Sequence, residues 1–288
     1  MRFSLLLLLI LSGLFSQEQR IIPLAPSLNE IVYALGKGNE VVANTTYATY
    51  PKEAQSKPKV GGYFSVSLEK ILALKPSLVL MQRNNLPLIP KLKKFGIHAE
   101  LIRISSLNDI KEGIKTIGRL TGTKKRAEII VKNIESAIKD TQGILKDKKI
   151  LIVFGRQFDL KKSIYVSGNS IYFADIIRAS GNHNAFAEET TKQPLLSYEG
   201  IIATNPDIIY ILAHLLKGEK EINDLVKTWQ TLPVTAAKAK TIYVTTKDYS
   251  GRPSQRVVNY IEDFKAILKD AKEKLHYHDR QKEPYHDR

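Results

Sequence analysis

The sequence SLEKILALKPSLVL, residues 67–80, returns as SYEGIIATNPDIIY at residues 197–210. Ser, Glu, Ile, Ala and Pro recur at the same spacing, and both stretches end in a short aliphatic or β-branched run. The pattern predicts a capping Ser, a short helix ended by Pro, and then a buried strand. One copy in each half of the chain favours two similarly built lobes, because a solenoid would need several copies. Glu69 and Glu199 then hold the equivalent position in the two lobes.

The first lobe, predicted over residues 17–106, alternates strands and helices around this unit. The apolar pattern predicts a short strand at residues 20–24, a helix at residues 28–35 that ends at Gly36, and the next strand at residues 41–43. Such alternation is typical of an α/β lobe with a mainly parallel sheet.

A helical segment, residues 107–147, leads to a second lobe predicted over residues 148–275. Isoleucines recur in the segment at helical spacing, and Gly122 separates a first helix from a longer second one that begins after Thr123. The segment is not enriched in Gly, Pro or Ser, so we expect a stiff connection. The predicted fold class is therefore α/β, with two lobes whose central sheets are mainly parallel, joined by one long rigid α-helix, and a ligand cleft between the lobes.

Both ends of the chain are predicted to lie outside the two lobes. Arg2 precedes an apolar run over residues 3–11, and small residues follow it, which is typical of a secretory signal peptide. We therefore expect residues 1–16 to be removed, the alternative being an N-terminal membrane anchor. The tail, residues 276–288, contains three histidines and is expected to be disordered.

Composition limits the classes of function. The chain has no cysteine, so it has no disulfides and no thiol for lipid attachment, and we expect an exported protein that is soluble in the periplasm. The formal net charge is +15, but the lysines are scattered over many amphipathic segments, which argues against a nucleic-acid partner. A basic surface, an anionic ligand or anionic headgroups would each account for the charge.

Aromatic and arginine side chains follow the predicted strands. Ligands of such sheets bind outside the carboxyl ends of the strands, and a cleft between two lobes would bring these ends together. Tyr and Phe can stack on a bulky ligand, while Arg supplies charge-assisted donors. The candidate ligand-binding residues are Tyr47, Tyr63, Phe64, Arg83, Arg156, Tyr249 and Arg252.

Several ordered blocks carry a resemblance to a known family. The first is RIIPLAPSLNEIVYALG at residues 20–36, and the next are residues 50–54, residues 60–62 and residues 68–76. In this order they resemble the periplasmic substrate-binding proteins of ABC importers for vitamin B12 and ferric siderophores. The resemblance covers nearly the whole chain after the signal peptide, including the connecting helix and the second Glu-to-Pro block.

The resemblance implies a function and two partners. A monomer would capture a metal chelate in the cleft, with small hinge motion, and deliver it to an ABC permease dimer in the inner membrane. Glu69 and Glu199 match the surface carboxylates that dock on arginines of the two permease subunits in this family. A first-turn Glu also complements a helix dipole, by about 0.3–1 kcal/mol, but that explanation does not require the same arrangement in both lobes.

The identity of the chelate is open at this point. Tyr47, Tyr63 and Phe64 resemble the aromatic loops of members that bind cobalamin, whereas Arg83, Arg156 and Arg252 resemble the cleft arginines of members that bind anionic siderophores. No cofactor is expected to be built into the protein, because the metal complex is its cargo.

The sequence also leaves other functions open. His276, His278 and His286 could bind a nickel- or copper-like ion in the tail, and free or chelated nickel or haem is an alternative ligand. An exported scaffold or adhesin is the non-binding alternative. An enzyme is not expected, because the chain lacks a Gly-x-Ser-x-Gly elbow, a His-Glu-x-x-His pair and a Walker-type phosphate loop.

Overall fold

The first lobe is built on a three-stranded parallel sheet in the order β1-β2-β3. A computed structural model describes residues 19–188 and 193–281, so the predicted signal peptide lies outside the described residues. β2 occupies the strand position of the first sequence copy, and the short helix before it begins after the capping Ser67. The elements are β1 (Ile21–Pro23), α1 (Pro26–Ala34), α2 (Leu68–Ala73), β2 (Leu78–Met81), α3 (Ile89–Lys94) and β3 (His98–Leu101).

The strand predicted at residues 41–43 does not form. Val41 makes an isolated parallel bridge with Ile21, and the chain then turns away from the sheet. The buried side chain of Asn44 causes this, since it donates to Asn29 Oδ1 at 3.1 Å and to the carbonyl oxygen of Ala54 at 2.9 Å. These bonds direct the backbone into the loop that carries Tyr47.

The connecting segment holds two helices that pack against each other, α4 (Leu107–Leu120) and α5 (Lys124–Lys139). α4 begins with a capping box, in which Ser106 and Asp109 each accept a backbone N–H of the other. The turn between the helices requires a close approach: a Cβ atom on Gly118 would lie 2.5 Å from the Cβ of Ala127. Only glycine fits at that position.

The second lobe has a six-stranded mixed sheet in the order β7-β5-β4-β8-β9, with β6 paired to β4. β4, β6, β8 and β9 are parallel, while β5 and β7 form an antiparallel extension. The elements are β4 (Lys149–Phe154), β5 (Ile164–Val166), α6 (Tyr172–Ala179), β6 (His183–Asn184), β7 (Leu195–Leu196), α7 (Tyr198–Thr204), β8 (Ile208–Leu212), α8 (Gly218–Trp229), α9 (Thr235–Lys238), β9 (Ile242–Thr245) and α10 (Val257–Arg280).

The last helix corrects the prediction for the tail. α10 continues through residues 276–280, which were expected to be disordered. No Gly or Pro interrupts the sequence from Val257 to Arg280, and the buried Leu275 holds the end of the helix against residues 144–148. Residues 282–288, which include His286, lie outside the described residues.

One apolar core, called here the first core, runs through both lobes and the connecting helices. It joins Ile31 of α1, Ile114 of α4, Ile134 of α5, Ile150 of β4 and Phe264 of α10. A second core, which includes Leu151, Ile209 and Trp229, lies under the other face of the second sheet. The predicted fold class is confirmed, and the shared first core makes the two lobes pack as one unit.

Removal of Phe264 should therefore destabilise both lobes together. Phe264→Ala is expected to lower the free energy of unfolding by about 3–5 kcal/mol, because a fully buried aromatic side chain leaves a cavity. Denaturant unfolding followed by circular dichroism measures the loss. Ile129→Ala is the control, since Ile129 is 60% exposed and its removal should change the free energy by less than about 0.5 kcal/mol. Two separate transitions in the Phe264 variant would contradict a shared core.

Candidate ligand-binding site

A cleft lies between the carboxyl ends of the strands of the two sheets. Its volume is ≈ 780 Å³, within the range of about 300–1,000 Å³ that is usual for ligand pockets. Residues that follow β1, β2 and β3 line it from the first lobe, and residues at the ends of β4, β8 and β9 line it from the second. These residues are Ala25, Gln82 and Ile104 on one side and Phe154, His214 and Lys247 on the other.

Tyr47, Tyr63 and Phe64 form the aromatic wall of the cleft, on the first lobe. Tyr47 and Phe64 are largely exposed, and the rings of Tyr63 and Phe64 meet edge to face with centroids 4.7 Å apart. The hydroxyl of Tyr63 donates to Oε1 of Gln82, which orients the ring, and burial raises the pKa of Tyr63. This wall presents flat apolar faces to a ligand.

Lys247 and Arg252 give the cationic wall its charge, and His214 lines the cleft on the same lobe, the second. No Asp or Glu occurs among the described residues that line the cleft. Aromatic rings form the floor between the two walls: Phe173 lies 4.1 Å from Tyr172 and 5.5 Å from Phe154, measured between ring centroids. The cleft is therefore apolar and aromatic, with positive charge on one side.

Four of the seven predicted ligand-binding residues come together in this cleft, and three do not. Arg83 and Arg156 are exposed outside the lining, although the preceding residues, Gln82 and Gly155, line it. Tyr249 donates to Asp263 Oδ2 at 2.8 Å, and burial together with this hydrogen bond raises its pKa to about 12. The hydroxyl of Tyr249 is thus hydrogen-bonded to a residue of α10.

Sequence reasoning missed His214, Lys247 and the floor residues Tyr172 and Phe173. His214 and Lys247 follow β8 and β9 by two residues, so the rule that placed Arg83 and Arg156 would also have found them. Tyr172 and Phe173 begin α6, and no local pattern indicates that this first turn faces the other lobe.

A buried ion pair joins the two lobes beside the cleft. Glu30 of α1 is 2% exposed, and its Oε1 accepts from Nη2 of Arg256 at 2.6 Å while its Oε2 accepts from Nε at 3.0 Å. Ser254 Oγ donates to the same Oε2 at 2.6 Å. The guanidinium of Arg256 also lies 3.9 Å from the ring centroid of Tyr50. Helix α1 of the first lobe is thus bonded to the segment that begins α10.

The same arginine fixes the backbone that carries the cationic wall. Arg256 donates to both carboxylate oxygens of Asp248 at 2.9 and 3.1 Å, and Asp248 begins the short turn that leads to Arg252. Burial opposes the charges, but these hydrogen bonds lower the pKa of Asp248 and, with those to Glu30, raise the pKa of Arg256. Arg252 Nε lies 3.6 Å from Glu30 Oε1. The ion pair therefore positions Arg252 at the cleft.

Glu69 and Glu199 are exposed in the first turns of α2 and α7. The capping serines accept the backbone N–H of Lys70 at 3.2 Å and of Gly200 at 3.1 Å, so both copies have the predicted cap. Hydrogen bonds from its own backbone and from Ser197 lower the pKa of Glu199. Ser67 lies three residues after Phe64, and Leu195 lies level with Tyr165 and Phe154 across the sheet. Neither glutamate lines the cleft, and Glu199 lines a separate groove on the second lobe.

The candidate metal site is only partly described. His276 and His278 lie on α10, where His276 lines a groove with Ile144 and Leu145. Within residues 19–188 and 193–281, no group of three or more His, Cys, Asp or Glu residues could hold a metal ion. His286 lies outside the described residues, so metal binding by the three histidines stays a prediction.

Comparisons with known proteins agree with this architecture. A family model for periplasmic binding proteins matches residues 21–249. The uncharacterized ABC transporter substrate-binding lipoprotein YvrC of Bacillus subtilis is 30% identical over 86% of this chain and 79% of its own length. A vitamin B12-binding protein of Vibrio parahaemolyticus is 25% identical over 86% of this chain and 90% of its own length.

Solved structures share the fold. The vitamin B12-binding protein BtuF of Vibrio cholerae superposes with a TM-score of 0.74 at 23% identity, over 88% of this chain and 98% of BtuF. The haem-binding protein HutB of Vibrio cholerae superposes with a TM-score of 0.72 at 20% identity, over 87% of this chain and 99% of HutB.

In the part of the chain that the structure describes, none of the helices combines the length and the apolarity that crossing a membrane requires. YvrC is named a lipoprotein, whereas this chain has no cysteine, the residue to which a lipid anchor would be attached.

Loss of Glu30 should destabilise the protein strongly. Glu30→Ala leaves Arg256 with its charge buried and only partly paired, which typically costs about 3–5 kcal/mol. Denaturant unfolding measures the free energy, and the double variant Glu30→Ala with Arg256→Met should recover part of the loss. Glu112→Ala, which removes an exposed pair with Lys115, serves as the control and should change stability little. Equal stability of the Glu30 and Glu112 variants would contradict a structural role for the buried pair.

Proposed function

This chain belongs to the periplasmic binding protein family, and we propose that it captures a metal chelate in the interlobe cleft and delivers it to an ABC permease. The family consists of substrate-binding transport proteins, and the chain is accordingly not an enzyme. The proposed chelate is of the cobalamin or ferric-siderophore type, and the proposed site of action is the periplasm.

The observation that carries this proposal is the arrangement of the two walls. Tyr47, Tyr63 and Phe64 offer stacking surfaces on one lobe, and Lys247 and Arg252 offer charge-assisted donors on the other. A large chelate with flat apolar faces and acceptor groups at its edge matches both walls at once. The exposed rings of Tyr47 and Phe64 would lose water contact when such a ligand binds.

The names of the relatives and the charge of the cleft lining each favour particular kinds of chelate. The relatives named for vitamin B12 support a cobalamin. The cationic wall, with no acidic side chain among the described lining residues, favours a chelate with negative groups at its edge. Haem is the second candidate, supported by this charge and by the structural likeness to HutB. Nickel alone is less well supported, because the described residues that line the cleft include a single histidine.

Delivery to the permease is proposed to use Glu69 and Glu199. Both carboxylates are exposed, one on each lobe, and each follows a Ser cap at the same spacing. A permease built of two similar subunits would present one arginine-bearing surface to each lobe. Exposed charges of this kind set orientation and association rate more than affinity.

Binding of a metal chelate should raise thermal stability. A ligand that binds only the folded state adds about 2.7 kcal/mol at a hundred times its dissociation constant. We expect a shift in Tm with one of cyanocobalamin, haemin and a ferric catecholate, with isothermal titration calorimetry giving the affinity. Trp229 lies in the second core and donates to the carbonyl oxygen of Gln157, so its fluorescence is a poor reporter of the cleft.

Variants of the cationic wall test whether the ligand binds in the cleft, and a variant outside the cleft is their control. Arg252→Gln and Lys247→Gln should weaken binding of an anionic chelate by about tenfold or more each, since a charge-assisted hydrogen bond is worth about 1.5–3 kcal/mol. Arg156→Gln removes an exposed arginine outside the cleft and should leave binding unchanged. The absence of any shift with all three ligands would contradict the proposal and favour the scaffold or adhesin.

Charge reversal at Glu69 and Glu199 should abolish uptake while the cleft still binds its ligand. The double variant Glu69→Lys with Glu199→Lys places positive charges opposite the permease arginines, and uptake of the chelate by whole cells measures the effect. Glu219→Lys is the control, because Glu219 is also an exposed carboxylate in the first turn of a helix. Normal uptake in the double variant would refute the docking role.

A further inference from the structure

A groove of ≈ 620 Å³ lies directly beside Glu199, outside the cleft. It is formed by the loop after β4, the start of α7 and the end of α8. Its lining residues are Phe158, Asp159, Leu160, Lys161, Tyr198, Glu199, Thr228 and Thr231. The groove is separate from the ligand site, because Leu160 belongs to the second core, whereas the cleft residues Tyr172 and Phe173 belong to the first.

The groove offers an apolar surface next to a carboxylate. Phe158 is 43% exposed. Leu160 is buried beneath it and Tyr198 packs against the second core, so the base of the groove is closed by apolar side chains. An apolar group that entered here would contact Phe158 and would be flanked by Glu199.

Hydrogen bonds hold the loop in shape. The buried Trp229 donates from Nε1 to the carbonyl oxygen of Gln157 at 3.0 Å, and Gln157 Nε2 donates to the carbonyl oxygen of Ser163 at 3.2 Å. Within the loop, the N–H of Lys161 donates to Asp159 Oδ1 at 3.1 Å. The loop is thus fixed at both ends, and a partner would not have to order it, which reduces the entropic cost of binding.

The charges of the groove favour a cationic partner. Of its two lining carboxylates, Asp159 lies 3.9 Å from Nζ of Lys162, measured from Oδ2, whereas Glu199 has no lysine or arginine partner among the described residues. Hydrogen bonds from its own backbone N–H and from Ser197 lower the pKa of Glu199. The complementary surface therefore combines a cation with a neighbouring apolar side chain.

We propose that this groove is part of the second lobe's contact with the permease, and that it receives an apolar side chain beside the permease cation that pairs with Glu199. The inference rests on the proposed function, since it extends the docking role of Glu199. A permease surface fits better than a ligand group, because the groove lies on the far side of the second sheet from the cleft. Apolar burial beside the ion pair would supply the affinity that an exposed ion pair lacks.

Tyr165 provides a matched control for Phe158. It is also an exposed aromatic residue of the second lobe, at 53% exposure. Its register partners in the sheet are Phe154 and Leu195, so its side chain lies on the cleft face of the sheet and not in the groove.

Photocrosslinking in cells that express the full-length protein tests the contact. Benzoylphenylalanine is placed at position 158 in one strain and at position 165 in another, and the crosslinked partner is identified by mass spectrometry. We expect a membrane-spanning permease subunit to be captured from position 158, and the capture to be lost when Glu199→Lys is added. Capture of the permease from position 165 but not from position 158 would overturn the proposal.

Binding affinities separate the groove contact from the docking role of Glu199. The captured permease is placed in nanodiscs, and its affinity is measured for the variants Phe158→Ser, Tyr165→Ser and Glu199→Lys. We expect Phe158→Ser to weaken binding by about tenfold, the loss for one partly buried aromatic contact, while Tyr165→Ser binds like the wild type. If Glu199→Lys weakens binding and Phe158→Ser does not, the groove is refuted and the docking role of Glu199 stands. If neither variant weakens binding, both are refuted. The Tm of each variant checks that the fold is intact.

Discussion

The ion pair between Glu30 and Arg256 is the constraint on which the cleft depends. Moving two charges out of water costs several kcal/mol for each ion, so the pair is stable only if its hydrogen-bonding groups are satisfied. Ser254 donates a further hydrogen bond to the carboxylate of Glu30. The guanidinium of Arg256 donates to Asp248 and lies over the ring of Tyr50. All these partners must be in place together, which fixes helix α1 of the first lobe against the segment of the second lobe that carries Arg252.

The cleft is a consequence of this constraint and of the shared first core. Both sheets direct the carboxyl ends of their strands towards the same gap, and the first core continues from one lobe to the other without a break. The two walls are therefore held at a fixed separation, with aromatic rings on one and cations on the other. A preformed cleft of this kind binds a rigid ligand without a large cost in ordering its own side chains.

The proposed ligand capture and the proposed delivery use different parts of the second lobe. One face of its sheet forms the floor of the cleft through Phe154, while the groove that contains Phe158 lies over the second core on the opposite face. The repeated Ser-x-Glu unit is the same in both lobes, but its surroundings are not, because the extension formed by β5 and β7 belongs to the second lobe alone among the described residues. The cleft proposed to bind the ligand and the groove proposed to contact the permease thus lie on separate surfaces of the molecule.

The sequence by itself determined the elements whose signals are local. The repeat located β2 at residues 78–81 and the capped starts of α2 and α7, and the apolar run at residues 149–154 located β4, because caps and buried strands depend on neighbouring residues. Only the tertiary structure decided which strand-end side chains face the cleft. Gln82 lines it and Arg83 does not, since successive side chains point in different directions and packing selects between them. The pairing of Glu30 with Arg256, 226 residues apart, likewise leaves no local signal, because it exists only once both lobes have packed on the first core.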